Sequence, residues 1–320
     1  MHALAPFLLL PALFVNAQEL SCSPEASDSC QVPHPGGLFV FRQRFEPDVG
    51  SDHGSWGIDG LDVLTCDTQL PQNTTAYAAT YTHEEIGSFC HKSPLFGGES
   101  GFNQAEKDWA QSEVGEGFEE VWERAWNTAG RFISTFDPKC SERPVVGQGV
   151  SEFFITLRKL HQTFTTAQLL AEADITPSDD TTYSLSELSN ALATGEYRPI
   201  VTCDNSTLSS VLWPLYIRGA FHAGTFEAST TYRHPSNCPS EGILYPPSTT
   251  IPKPTQAAEW DILRRPPPRP ITLTHDESRM YYRSKEEDPK MKLGLFKDYD
   301  EGKDEMKEER ATKQFHRDEL

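Results

Sequence analysis

The sequence predicts an α+β domain, because segments with helical spacing and runs of strand-forming residues occur together. The clearest helix spans Phe118 to Ile133, where Val121, Trp122, Ala125, Trp126, Ala129 and Ile133 recur at helical intervals. A second spans Ser151 to Phe164, with Phe154, Leu157, Leu160 and His161 near one face. The clearest strand signal is Leu38-Phe39-Val40-Phe41 after the turn Pro35-Gly36-Gly37. Pro199 to Cys203 and Val211 to Ile217 read as two further strands. Pro214 inside the last implies an edge strand or a bulge, since proline cannot donate to a ladder. A short helix is expected over Thr166 to Ala173. Ser184-Leu185-Ser186-Glu187 is a capping box that opens a helix to about Ala193.

The chain ends carry address signals rather than fold. Residues 1–17 read as a signal peptide: an apolar run from Ala3 to Val15, too short for a span, closes on Ala17. No later segment is apolar for long enough to cross a bilayer, so the mature protein is expected to be soluble, without a membrane span, and monomeric. Residues 18–248 hold the mixed apolar pattern and all seven cysteines. Residues 249–272 are a Pro-rich linker, including Arg264-Arg265-Pro266-Pro267-Pro268-Arg269-Pro270. Residues 273–320 are a charged tail expected to be disordered, with a partner-binding helix near Met291 to Phe296 as the alternative. The tail ends Arg317-Asp318-Glu319-Leu320, which resembles the tetrapeptide read by the retrieval receptor of the endoplasmic reticulum. Sequons at Asn73 and Asn205 agree with luminal passage and glycosylation.

A formal net charge of −19 counts against general binding of the phosphate backbone, though not against a local site. Seven cysteines in an oxidising compartment point to disulfides, and an odd count leaves one thiol over. There is no Cys-x-x-Cys and no His-x-x-x-His, so no metal and no cofactor is expected.

Two segments carry a family likeness. Ser55-Trp56-Gly57-Ile58-Asp59-Gly60-Leu61 resembles the first active-site segment of the ribonuclease T2 family, Trp-x-Ile-His-Gly-Leu-Trp-Pro. Trp122-Glu123-Arg124-Ala125-Trp126-Asn127-Thr128-Ala129-Gly130 resembles the second, Trp-Glu-His-Glu-Trp-Asn-Lys-His-Gly. Phe153-Phe154, Leu169 to Ser178, Thr182 to Leu185, Arg218-Gly219, Gly224-Thr225-Phe226 and Ser236 to Pro239 follow in the family's order. The likeness runs from about Cys22 to Tyr245, is nearest to fungal members, and excludes the tail. It implies a central antiparallel sheet packed by helices. It also implies the bridges Cys22–Cys66, Cys30–Cys140 and Cys203–Cys238. The mate of Cys90 is replaced by Phe132, which leaves Cys90 as the free thiol.

The family's implied reaction is cleavage of RNA through a 2′,3′-cyclic phosphate. It needs a base for the 2′-hydroxyl, an acid for the leaving oxygen, and groups that offset charge on the phosphorane. In this chain the first-segment His is Asp59. In the second segment the family's His, Glu, Lys and last His are Arg124, Ala125, Thr128 and Ala129. Alanine carries no proton, arginine stays charged to about pH 12 or higher, and an aspartate of pKa about 3.9 adds charge beside an anionic substrate. The expectation is a pseudoenzyme of the endoplasmic reticulum lumen, kept to bind RNA, a glycan or a luminal protein. The alternative is an active endoribonuclease with rebuilt chemistry. It would use His53 or His91, an Asp59–Glu123 carboxylate pair, or a metal on Asp59, Asp62 and Asp67. Arg124 and Arg131, seven apart on the predicted helix, could share a face and hold a phosphate; surface arginines on an amphipathic helix are the plainer reading.

Overall fold

The computed structural model describes residues 19–46, 56–70, 76–110 and 118–246. The expected signal peptide, His53, Ser55, the Asn73 sequon, the linker and the charged tail with its terminal tetrapeptide lie outside the described residues.

Strands β1 (Leu38–Phe45) and β2 (Trp56–Leu64) come first in the chain, followed by helices α1 (His83–Lys92), α2 (Glu99–Lys107) and α3 (Phe118–Thr128). Then come α4 (Gln148–Thr163), α5 (Thr166–Glu172), β3 (Ser178–Tyr183) and α6 (Leu185–Leu192). The described residues finish with β4 (Ile200–Asp204), β5 (Thr207–Arg218), β6 (Thr225–Ala228) and β7 (Ile243–Tyr245). The strands form one sheet in the order β2-β1-β5-β7-β3, with β4 and β6 both pairing β5. All pairings are antiparallel except β5 with β7, joined in parallel at Thr207 and Leu244, so the sheet is mixed rather than wholly antiparallel.

Strand alternation separates two apolar faces. Phe39, Phe41 and Phe45 of β1 join Trp122 and Trp126 of α3 and Phe153, Phe154 and Leu157 of α4 in the main core. Leu38 and Val40 point the other way, into a smaller cluster with Leu64 and Tyr216. Trp122 stacks on Phe154 at 4.5 Å between ring centres, joining α3 to α4.

β1 carries one buried polar residue among its apolar ones. Gln43 is fully buried, and every bond its carboxamide needs is made. Its Oε1 accepts from Trp213 Nε1 (2.9 Å) and Thr166 Oγ1 (2.6 Å). Its Nε2 donates to the Phe164 carbonyl (2.9 Å) and lies 2.8 Å from His161 Nδ1. An indole can only donate, so the carboxamide orientation is settled, and His161 Nδ1 must be the unprotonated acceptor.

Pro214 is not at an edge. β5 is a central strand, bonded to β1 along one side. Along its other side β4 pairs only as far as Leu212, and β6 takes up from Leu215. Pro214 falls in the gap between those partners, where no ladder donor is needed, while its carbonyl accepts from Ser229 N at 3.0 Å.

The helix predicted over Phe118 to Ile133 is shorter than its apolar spacing implies. The α-helix ends at Thr128, and Ala129 leaves helical geometry at φ −130° and ψ −62°. Three 3-10 turns follow, Gly130–Phe132, Ser134–Phe136 and Pro138–Cys140. The chain folds back onto the Trp126 ring so closely that a Cβ on Gly130 would lie 2.3 Å from it. Ile133 is still fully buried, reached through the 3-10 turn. The capping box at Ser184 and Glu187 is present.

The disulfides are Cys22–Cys66, Cys30–Cys140 and Cys203–Cys238, and Cys90 is free and buried. No helix among the described residues is long and apolar enough to cross a membrane.

Replacing Gln43 by leucine leaves the buried Trp213 indole and Thr166 hydroxyl without partners, while the Phe164 carbonyl keeps its bond from Thr166 N at 3.0 Å. At about 1–3 kcal/mol for each orphaned group, Gln43→Leu should lose about 2 kcal/mol or more of stability. A lower urea midpoint with an unchanged slope is the expected readout.

Candidate functional site

The first family segment folds as β2, and a bulge sets its geometry. Arg42 pairs with Gly60 and Gln43 with Ile58, so Asp59 is the extra residue on β2. Gly60 takes φ +132°, which a side chain disfavours, and a Cβ there would lie 3.1 Å from Arg42 Nη2. Trp56, Ile58, Leu61 and Val63 face the main core, and the bulge absorbs the change of phase between Ile58 and Leu61.

Asp59 turns instead to the arginines of β1. Its Oδ2 accepts from Arg42 Nε at 3.2 Å and its Oδ1 from Arg44 Nη1 at 3.1 Å. Arg42 also bonds Asp62, and Arg44 reaches Glu46 at 3.3 Å. Burial alone would lower the Arg42 pKa, but the carboxylates of Asp62 and Asp59 outweigh it and hold the guanidinium above its ordinary value. Two guanidinium groups thus face three carboxylates. Asp67 stands apart, bonded to the Thr65 hydroxyl.

The second family segment folds as α3 and the turn after it. Ala125 and Ala129 are in the main core, 9% and 1% exposed. Arg124 and Thr128 lie on the exposed side, and the Thr128 hydroxyl donates to the Arg124 carbonyl at 2.7 Å. Because α3 stops at Thr128, Arg124 lies on the helix and Arg131 on the turn after it, so the two do not share one helix. Arg131 belongs to the 3-10 turn, with its guanidinium over the Phe132 ring at 5.3 Å.

Glu123 and Asp59 each have other partners. Glu123 accepts from His83 N at 2.8 Å and lies 3.3 Å from His83 Nδ1, while Glu84 lies 3.0 Å from His83 Nε2. His83 is therefore a histidine that the fold sets beside the second segment, forty residues away in sequence, with each ring nitrogen near a carboxylate. Sequence reading missed it. The available signal was the Thr82-to-Glu85 capping box, which places His83 at the first position of α1. His91 is exposed at the end of α1, with its ring edge-on to Phe102 at 5.3 Å. Among the described residues no group of three His, Cys, Asp or Glu side chains could hold a metal.

The family model of the Ribonuclease T2 family matches residues 30–238. The chain belongs to the ribonuclease T2 family. It is 30% identical over 244 residues to Ribonuclease M of Aspergillus phoenicis, covering 72% of this chain and 95% of that one. It is 31% identical over 245 residues to Ribonuclease Le2 of Lentinula edodes, covering 71% and 94%. Among solved structures it is similar to Actibind, described as a T2 ribonuclease, with a TM-score of 0.63 and 31% identity over 73% of this chain and 97% of that one. Both T2 segments lie inside the matched region.

Burial raises the Cys90 thiol well above its usual value, against a smaller opposing effect of a bond with Ser151. In the native T2 domain Cys90 should resist a maleimide reagent at neutral pH. One thiol per chain should react once denaturant is added without reductant. Rapid labelling of the native protein would show that the α1 packing is open.

Proposed function

We propose that this T2-family chain is a resident of the endoplasmic reticulum lumen that has lost the family's ribonuclease chemistry and keeps the fold to bind a partner. The observation that carries the reading is at Ala125 and Ala129. The family likeness places a Glu and a proton-transferring His there, and this chain has two methyl groups packed in the core. A proton cannot be taken or given at those positions, and losing one acid–base group typically lowers a rate by about 10²–10⁴-fold. At the third position, Asp59 brings a negative charge and is already bonded by two arginines.

The partner classes are RNA, a glycan or a luminal protein. The balance of charge on the β1–β2 face favours the last two, because Arg42 and Arg44 are matched by Asp59, Asp62 and Glu46 and offer little to a phosphate. The arrangement around His83 lends no support to rebuilt catalysis. An imidazole whose two ring nitrogens lie against the Glu84 and Glu123 carboxylates is engaged on both sides rather than open to a substrate.

The test is incubation of the purified chain from Gln18 onward with single-stranded RNA from pH 4 to 8, with product ends analysed for cyclic phosphate. No cleavage by a protein that melts cooperatively is expected. Cleavage that survives repurification and is abolished by changing Asp59, Arg124 or His83 would overturn the reading.

Residence in the lumen has its own test. The full chain expressed in a fungal host should stay inside the cell, and a chain lacking Arg317 to Leu320 should reach the medium. Equal secretion of both would remove the retrieval reading while leaving the enzymatic one untouched.

A further inference from the structure

The sequon at Asn205 occupies an unusual place in the fold. Asp204 pairs with Thr207 across the β4–β5 hairpin, so Asn205 and Ser206 are the two residues of its turn. Both take positive φ, 46° and 68°, the primed turn that matches strand twist. Both are exposed. The turn is seated on β7, because the Ser206 carbonyl accepts from Leu244 N at 2.9 Å. Leu244 is one of the few large apolar side chains left open, at 40% exposure. Two residues before Asn205, the strand is tied twice. Cys203 is bridged to Cys238, and the Asn237 carboxamide bonds both the N–H and the carbonyl of Cys203 at 2.8 Å.

We propose that Asn205 is an N-glycosylation site, that it is modified before this hairpin closes, and that its glycan then shields Leu244. The inference rests on the luminal reading above. In the step, Asn205 Nδ2 forms a bond to C1 of the first sugar of a lipid-linked oligosaccharide. The lipid pyrophosphate leaves C1 with the bonding electron pair, and one amide proton is released. Asn205 Nδ2 uses one hydrogen to reach Asp204 Oδ1 at 3.1 Å. The other is free, so the product keeps the turn's own bond. The exposed tip accommodates a bulky glycan without displacing any buried group.

Order follows from backbone shape. A transferase must bind Asn205 and the Thr207 hydroxyl together in a pliable segment. In the folded protein the intervening Ser206 is fixed in the left-handed region and Thr207 is in the ladder. The Cys203–Cys238 bridge and the Asn237 clamp hold that geometry. The chain is therefore an acceptor while unfolded and ceases to be one when native.

The full chain would be expressed in a eukaryotic secretory host and treated with peptide-N-glycosidase in heavy-oxygen water, which marks each formerly glycosylated asparagine as a heavy aspartate. A mark at Asn205 is expected, with loss of one glycan in both Asn205→Gln and Thr207→Ala. The second variant keeps asparagine in the turn, so a folding defect of the first does not obscure the result. A chain with all three disulfides formed and a mark at Asn73 alone would overturn the Asn205 assignment while leaving the luminal reading intact. A chain with no mark and reduced cysteines would overturn both. For the order of events, unglycosylated protein would be offered to the solubilised transferase with lipid-linked oligosaccharide. Reduced, unfolded chain should be modified at Asn205 and native chain should not; equal modification would overturn the order.

Discussion

The carboxamide of Gln43 is the contact on which this domain depends. It lies on β1 and faces the core where apolar side chains otherwise meet, and it joins parts of the chain far apart in sequence: β5 through Trp213, the end of α4 through His161 and Phe164, and α5 through Thr166. A buried amide is costly unless every donor and acceptor finds a partner. Here each does, so the network selects one arrangement of helices on the sheet among several that would bury similar apolar area. The stack of Phe164 on Trp213, at 4.3 Å, is aligned by the same bonds.

Much of this was legible in the sequence. α4 and α6 follow from apolar spacing and a capping box, because both signals are local. The family likeness anticipated the three bridges, which no spacing argument could pair. Other elements were hidden for physical reasons. β2 contains two glycines and two aspartates, and its bulge breaks the alternation that marks a strand. β3 reads Ser-Asp-Asp-Thr-Thr-Tyr, with its middle exposed, so it has no apolar period. α3 ends just before the chain folds onto its own Trp126 ring, a local departure that the spacing of Ile133 conceals.

The site was legible in its positions and not in its partners. Which residues stand in the two T2-like segments can be read along the chain. That Asp59 is claimed by Arg42 and Arg44 depends on strand pairing, and that His83 stands beside Glu123 depends on the packing of α1 on α3. Both are polar contacts between segments with no sequence signal linking them. They are half-exposed and so of modest stability value. Their weight lies in which charges remain available to a ligand.

The bulge in β2 bears on how such a protein changes over time. A residue in regular alternation is bound to one face, and exchanging it disturbs either the core or its cross-strand neighbours. The extra residue of a bulge is held to neither row, while Gly60 beside it absorbs the unusual backbone. Position 59 can therefore pass from one polar side chain to another with Trp56, Ile58, Leu61 and Val63 left in place. The residues that pack the sheet and the residue at its irregularity are thus free to change separately.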